Sequence, residues 1–176
     1  MVQSVAERER LRYSYLPNKI RLLFIAESPP ASGGFFYNPK TIGRDYLFAE
    51  TMRGLGLWPD HRVMLKDFDK RSLLKQFQSM GCFLIDSSHT SVDKLKNRER
   101  NSRVLRQIPR LLHEIERLKA SRIVIVKKNV FMLVRPELEK RHLAAILNKK
   151  FMPFPSHGHQ PEYRRRLRGL LDRPVC

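Results

Sequence analysis

The sequence predicts an α/β fold: a three-layer α/β/α sandwich around a central, mainly parallel four-stranded sheet. Short apolar runs alternate along the chain with segments of helical periodicity, the arrangement that builds parallel sheets from crossover units. The runs are near-continuously apolar rather than alternating, as in strands covered on both faces. With 176 residues the chain suffices for one real core and is short for two, and 41% hydrophobic residues is ordinary for a folded protein. Residues 1–19 read as a basic helical arm and residues 20–176 as a single domain. No repeat, low-complexity tract or linker interrupts them.

Taken in order, the strands are expected at 21–26 (RLLFIA), 82–86 (CFLID), 122–126 (RIVIV) and 150–154 (KFMPF). Phe48, Met52 and Leu55 mark one helix between the first two. Val104, Ile108, Leu111, Leu112, Ile115 and Leu118 trace one face of a longer helix, and Tyr163, Leu167, Leu170 and Leu171 that of a final one. Pro109 is expected to start or bend the long helix, and Pro136 to divide 129–147 into two pieces. Irregular chain is expected at 27–41, 57–69, 87–97 and 153–160. Three of these segments begin at or near the C-terminal end of an expected strand, where open parallel sheets bind ligands. Glu27, Asp86 and the segment FPSHGHQ therefore gather at one edge.

Composition narrows the partner. Thirty-five Lys and Arg against seventeen Asp and Glu leave a net charge of +18, which calls for a polyanion. Nucleic acid is the commonest; an anionic membrane surface or a ribosomal contact has the same sign. Two cysteines, Cys82 and Cys176, form neither a disulfide framework nor a four-cysteine metal site. No stretch approaches the roughly 20 apolar residues of a membrane span, and the first residues carry no apolar signal core. A cytoplasmic, intracellular protein without membrane attachment is the expectation.

Each candidate residue has a bland alternative. Glu27 is a solvated turn acid or a carboxylate that positions a water, with Pro29 and Pro30 stiffening the chain behind it and Gly33-Gly34 turning it. Phe35, Phe36 and Tyr37 are core residues or rings that stack on a nucleobase. Asp86 caps its turn, reads a ligand edge or shares a metal with Glu27, whereas Asp93 reads as a helix cap. Pro161 and Glu162 suit the first turn of the last helix, so FPSHGHQ feeds a helix N-terminus able to hold an anion. Arg164, Arg165, Arg166 and Arg168 are a solvated face or a rail for DNA phosphates. His157 and His159 are a weak metal pair, and no metal is assigned.

FIAESPP followed by aromatics, with FPSHGHQ ahead of a basic helix, resembles the two motifs of the uracil-DNA glycosylase superfamily. The first is of the GxDPY, GEAPG or GxNPG kind after the first strand, the second of the HPS kind after the last. CFLID ends in Asp86 where the family usually has a base-reading Asn, and RIVIVKKNVF is similar to its third strand and following helix. The resemblance covers about residues 20–172. It implies a monomeric DNA glycosylase of base excision repair that flips out and hydrolytically removes uracil or a related damaged or deaminated base, without a cofactor. Two cysteines exclude the iron–sulfur branches. Glu27 then orients the water, and Phe36 or Tyr37 stacks on the base. Asp86 reads its edge, Ser156 matches the HPS serine, and the loop to Gln160 wedges into the duplex. Arg164 and Arg168 contact the backbone. Phe154 stands where the motif has histidine, so His157, three residues on, is the expected donor to the departing base. An anionic Asp86 prefers an amino group or ring N–H. The alternatives are a catalytically silent nucleic-acid binder of the same fold, or a nuclease holding Mg²⁺ on Glu27, Asp86 and Asp93.

Overall fold

Four parallel strands form the sheet in the computed structural model, which describes residues 3–40, 45–58 and 69–172. They are β1 (Leu22–Ala26), β2 (Cys82–Asp86), β3 (Arg122–Ile125) and β4 (Ala145–Ile146), in the order β2-β1-β3-β4. Leu23, Phe24 and Ile25 of β1 have no exposure at all, so a central strand here must be apolar on both faces. In-register partners point the same way, so Leu23 and Phe83 share one face and Phe24 and Leu84 the other. Tyr13, which ends α1 (Val5–Tyr13), lies 5.8 Å from the Phe83 ring; Phe77 of α3 (Arg71–Ser79) lies 5.8 Å from Phe24. Helices thus cover both faces.

The first three strands stand where expected, give or take a residue. The fourth does not. Segment 150–154 contributes a single bridge, Met152 to Val126, because Pro153 has no N–H to extend a ladder. The strand itself is Ala145–Ile146, and the gap to Met152 is filled by a side chain. The Asn148 amide accepts from Ile125 N at 2.9 Å and donates to Ile125 O at 3.0 Å, standing in for a strand residue. On the opposite edge the Tyr37 hydroxyl does the same for β2, accepting from Leu84 N at 2.7 Å and donating to Leu84 O at 3.1 Å.

The remaining helices are α2 (Tyr46–Gly54), α4 (Asn97–Leu118), α5 (Lys128–Arg141) and α6 (Gln160–Leu171). Pro136 does not divide its helix as expected, since α5 runs through it, and α4 does not start at Pro109 but twelve residues before it and continues past it. A proline frees the carbonyl four residues back. Here those residues are Leu105 and Met132, 49% and 62% exposed, so the freed carbonyls lie on the solvent side of each helix. Pro161 and Glu162 do open α6 as its first turn. α1 is set by a capping box, Ser4 accepting from Glu7 N while Glu7 accepts from Ser4 N. α3 lacked a sequence assignment, although Leu73, Leu74 and Phe77 give it a buried face. Most of segment 57–69 lies outside the described residues, as do Thr41 and Cys176.

Candidate functional site

A cavity of about 450 Å³ opens at the C-terminal ends of β1 and β2. Glu27 and Asp86 line it, with Phe35, Phe36, Lys127 and Phe154 around them. The loop after β1 can form its wall because Gly33, at φ +85°, lets its N–H turn back onto Pro30 O at 3.2 Å. That loop is fastened to the one after β2. Val92 N donates to Ser28 Oγ, Ser91 Oγ donates to Pro29 O, and Ala31 N donates to both oxygens of Asp93. Asp93 therefore caps this loop and not a helix; the residue before α4 is Lys96.

Glu27 is 7% exposed and held through both oxygens. Its carboxylate accepts from Asn129 Nδ2 at 2.6 Å, ion-pairs with Lys127, and has Arg100 Nε at 3.9 Å. Lys127 follows β3 at φ +78°, a conformation costly for a residue with a side chain. Its N–H is held by Met152 O at 2.8 Å, which fixes the backbone that aims the ammonium at Glu27. Asp86 is 3% exposed and meets a different cation. Arg12 of α1 donates to its Oδ2 at 2.5 Å and also to Glu9 Oε1. Burial pushes the Asp86 carboxyl above its ordinary range, with the Arg12 guanidinium pulling the other way. From the side, Arg110 of α4 donates to the main-chain oxygens of Asp86 and Ser87, each at 3.0 Å.

Glu27, Asp86 and Phe36 thus meet at one cavity. Phe35 and Asp93 line it too, whereas Tyr37, Ser156, His157, Gln160, Arg164 and Arg168 do not. Tyr37 is a core residue with no exposure, held through its hydroxyl on β2 and stacked on Tyr15 at 5.9 Å, and burial raises its phenol pKa. His157 is exposed at φ +50°, paired with Ser156 Oγ at 2.9 Å, and Gln160 begins α6. It is Phe154, in the motif position, that reaches the cavity. The arginines are spoken for: Arg164 pairs at 2.5 Å with Glu50, itself 2% exposed, and Arg168 donates to Arg53 O at 3.3 Å. Both tie α6 to α2 rather than standing as a free rail.

Sequence reasoning missed Lys127, Asn129 and Arg12. The first two carried a signal, since KKN follows RIVIV directly and so arrives at the same sheet edge as Glu27. For Arg12 there was none beyond the need of a buried acid for a cation. One cluster has the ligand types of a metal site, Glu9, His89 and Glu114, with atoms within 4.8 Å of one another. Arg12 occupies Glu9, and Arg110 Nη1 lies 2.5 Å from both His89 Nε2 and Glu114 Oε2, so guanidinium groups fill the ligand positions. No protein-family model matches this sequence, and no curated protein is significantly similar to it. Among the described residues, no helix is long and apolar enough to cross a membrane.

Proposed function

We propose that the protein is a DNA glycosylase that extrudes a damaged base into the cavity above β1 and β2 and hydrolyses its N-glycosidic bond. The cavity carries this reading: about 450 Å³, apolar rings on its walls and two buried carboxylates at strand ends suit one flat polar heterocycle. Glu27, fixed by Lys127 and Asn129, orients a water at C1′. The water oxygen bonds to C1′ as the C1′–N bond breaks. The electron pair leaves with the base nitrogen, and a water proton passes to Glu27. Lys127 supplies the positive charge beside the departing base that the resemblance gave to His157. For the DNA backbone, exposed cations are Lys94 and Lys96 on the loop after β2, whose Asp93 lines the cavity, Arg98 at the start of α4, and Lys128, which follows Lys127.

The test is incubation in EDTA with oligonucleotides carrying single modified bases, followed by alkali. Alkali-labile sites formed in EDTA support hydrolysis of the glycosidic bond; direct nicks that need Mg²⁺ point to the nuclease. Phe154, an apolar ring where the motif has histidine, favours a second reading, a silent binder of the same fold. Binding of every substrate without product would establish that one.

A further inference from the structure

The two oxygens of Asp86 have different environments. Oδ2 is held by Arg12, a residue 1% exposed that does not line the cavity. Oδ1 has no hydrogen-bond partner among the described residues, and the side chain keeps 5% exposure on the cavity wall. Arg12 itself is anchored a second time, by Glu9, so it cannot follow a ligand without breaking that pair. An asparagine here would offer one acceptor and one donor. A carboxylate pinned by a buried guanidinium offers acceptors alone.

Resting on the base-pocket reading above, we infer that the site selects a nucleobase by an exocyclic amino group turned toward β2, and that Arg12 is the positioning residue that keeps Asp86 an acceptor. A carbonyl in the same place meets the lone pairs of Oδ1, which leaves two buried acceptors facing each other. Uracil and hypoxanthine carry such a carbonyl where cytosine and adenine carry the amino group. The favoured lesions are therefore ones that keep the amino group, such as alkylated or ring-damaged bases, and not the products of deamination. Burial of the Asp86 carboxyl sharpens the penalty, because water is not at hand to repair a mismatch.

Matched pairs of small ligands test this without requiring turnover. Binding of 1-methylcytosine against 1-methyluracil, and 9-methyladenine against 9-methylhypoxanthine, is followed by shifts of the cavity amides in ¹H–¹⁵N spectra; methyl stands for the sugar. The amino member of each pair should bind about tenfold tighter or better. Asp86→Asn combined with Arg12→Met removes the charge pair as a unit and should bring each ratio to within about threefold. Should the double variant fail to fold, the wild-type ratios decide alone. Equal or tighter binding of the carbonyl member overturns the inference. If the same protein then excises uracil from DNA, the glycosylase reading survives that failure. A clear amino preference with no excision of any base has the opposite effect: the edge selection holds and the hydrolysis is lost. Absence of any cavity shift with all four ligands sinks both.

Discussion

Replacing Arg12 with methionine isolates what the cation does for Asp86. The two side chains are 1% and 5% exposed, and nothing else among the described residues is hydrogen-bonded to the Asp86 carboxylate. Removing one partner of a buried pair costs about 3–5 kcal/mol, because the other charge is left without compensation. Glu9 adds little, being 25% exposed and able to turn to water. For a chain of this size, where 1 kcal/mol moves Tm by about 2–4 °C, that is a fall of roughly 6–20 °C. The deficit has a predictable pH dependence. Burial already raises the Asp86 carboxyl, and loss of the opposing guanidinium raises it further above its unfolded value. A group shifted that way stabilises the fold fully below its unfolded pKa, and the contribution is lost as pH rises through the folded one. Urea denaturation at about pH 5 and pH 7.5 should therefore show Arg12→Met closest to wild type in acid. Adding Asp86→Asn should recover most of the loss at neutral pH. A neutral-pH deficit under about 1 kcal/mol, or one that deepens on acidification, would refute the reasoning.

The other predictions concern catalysis, binding and the sheet edge. Glu27→Gln should lower single-turnover excision by about 10²–10⁴-fold while leaving the salt dependence of DNA binding intact; equal loss of both would remove the water-orienting role. Replacing Lys94, Lys96 and Arg98 with alanine should reduce the slope of log K against log salt by about 1 for each phosphate no longer neutralised, measured by fluorescence anisotropy. Arg164→Ala should leave that slope unchanged and cost about 1–3 kcal/mol in urea, since it strips a partner from buried Glu50. Tyr37→Phe should lower the urea midpoint by an amount equivalent to about 1–3 kcal/mol, with base binding in the cavity unaltered.

The sheet was legible because burial on both faces leaves a continuous apolar mark, and β1, β2 and β3 carry it. β4 was not, because two residues are too few for a pattern and the amide of Asn148 completes the edge through a side chain. KFMPF had the composition of a strand, but its proline could not bond as one. Pro109 and Pro136 misled for a related reason. Their cost depends on whether the freed carbonyl faces water, and the position of a helix face relative to the core is a tertiary fact. Glu27 and Asp86 could be placed at one site because topology alone sends strand ends to one edge. The same logic extended one strand further reaches Lys127 and Asn129. Arg12 and the ion pairs of Arg164 lie beyond it, since pairing across 74 and 114 positions of sequence is fixed by how helices dock.

The hydroxyl of Tyr37 has a consequence outside the molecule. β2 is an edge strand; its outward N–H and carbonyl at Leu84 are both taken by Tyr37, and the carbonyl of Asp86 by Arg110. A neighbouring chain that approached this edge would find its middle already bonded, and an edge so blunted is a poorer seed for aggregation. Copies of a protein meet one another edge-on whenever they are concentrated. One phenol oxygen helps keep those encounters from becoming cross-chain sheets.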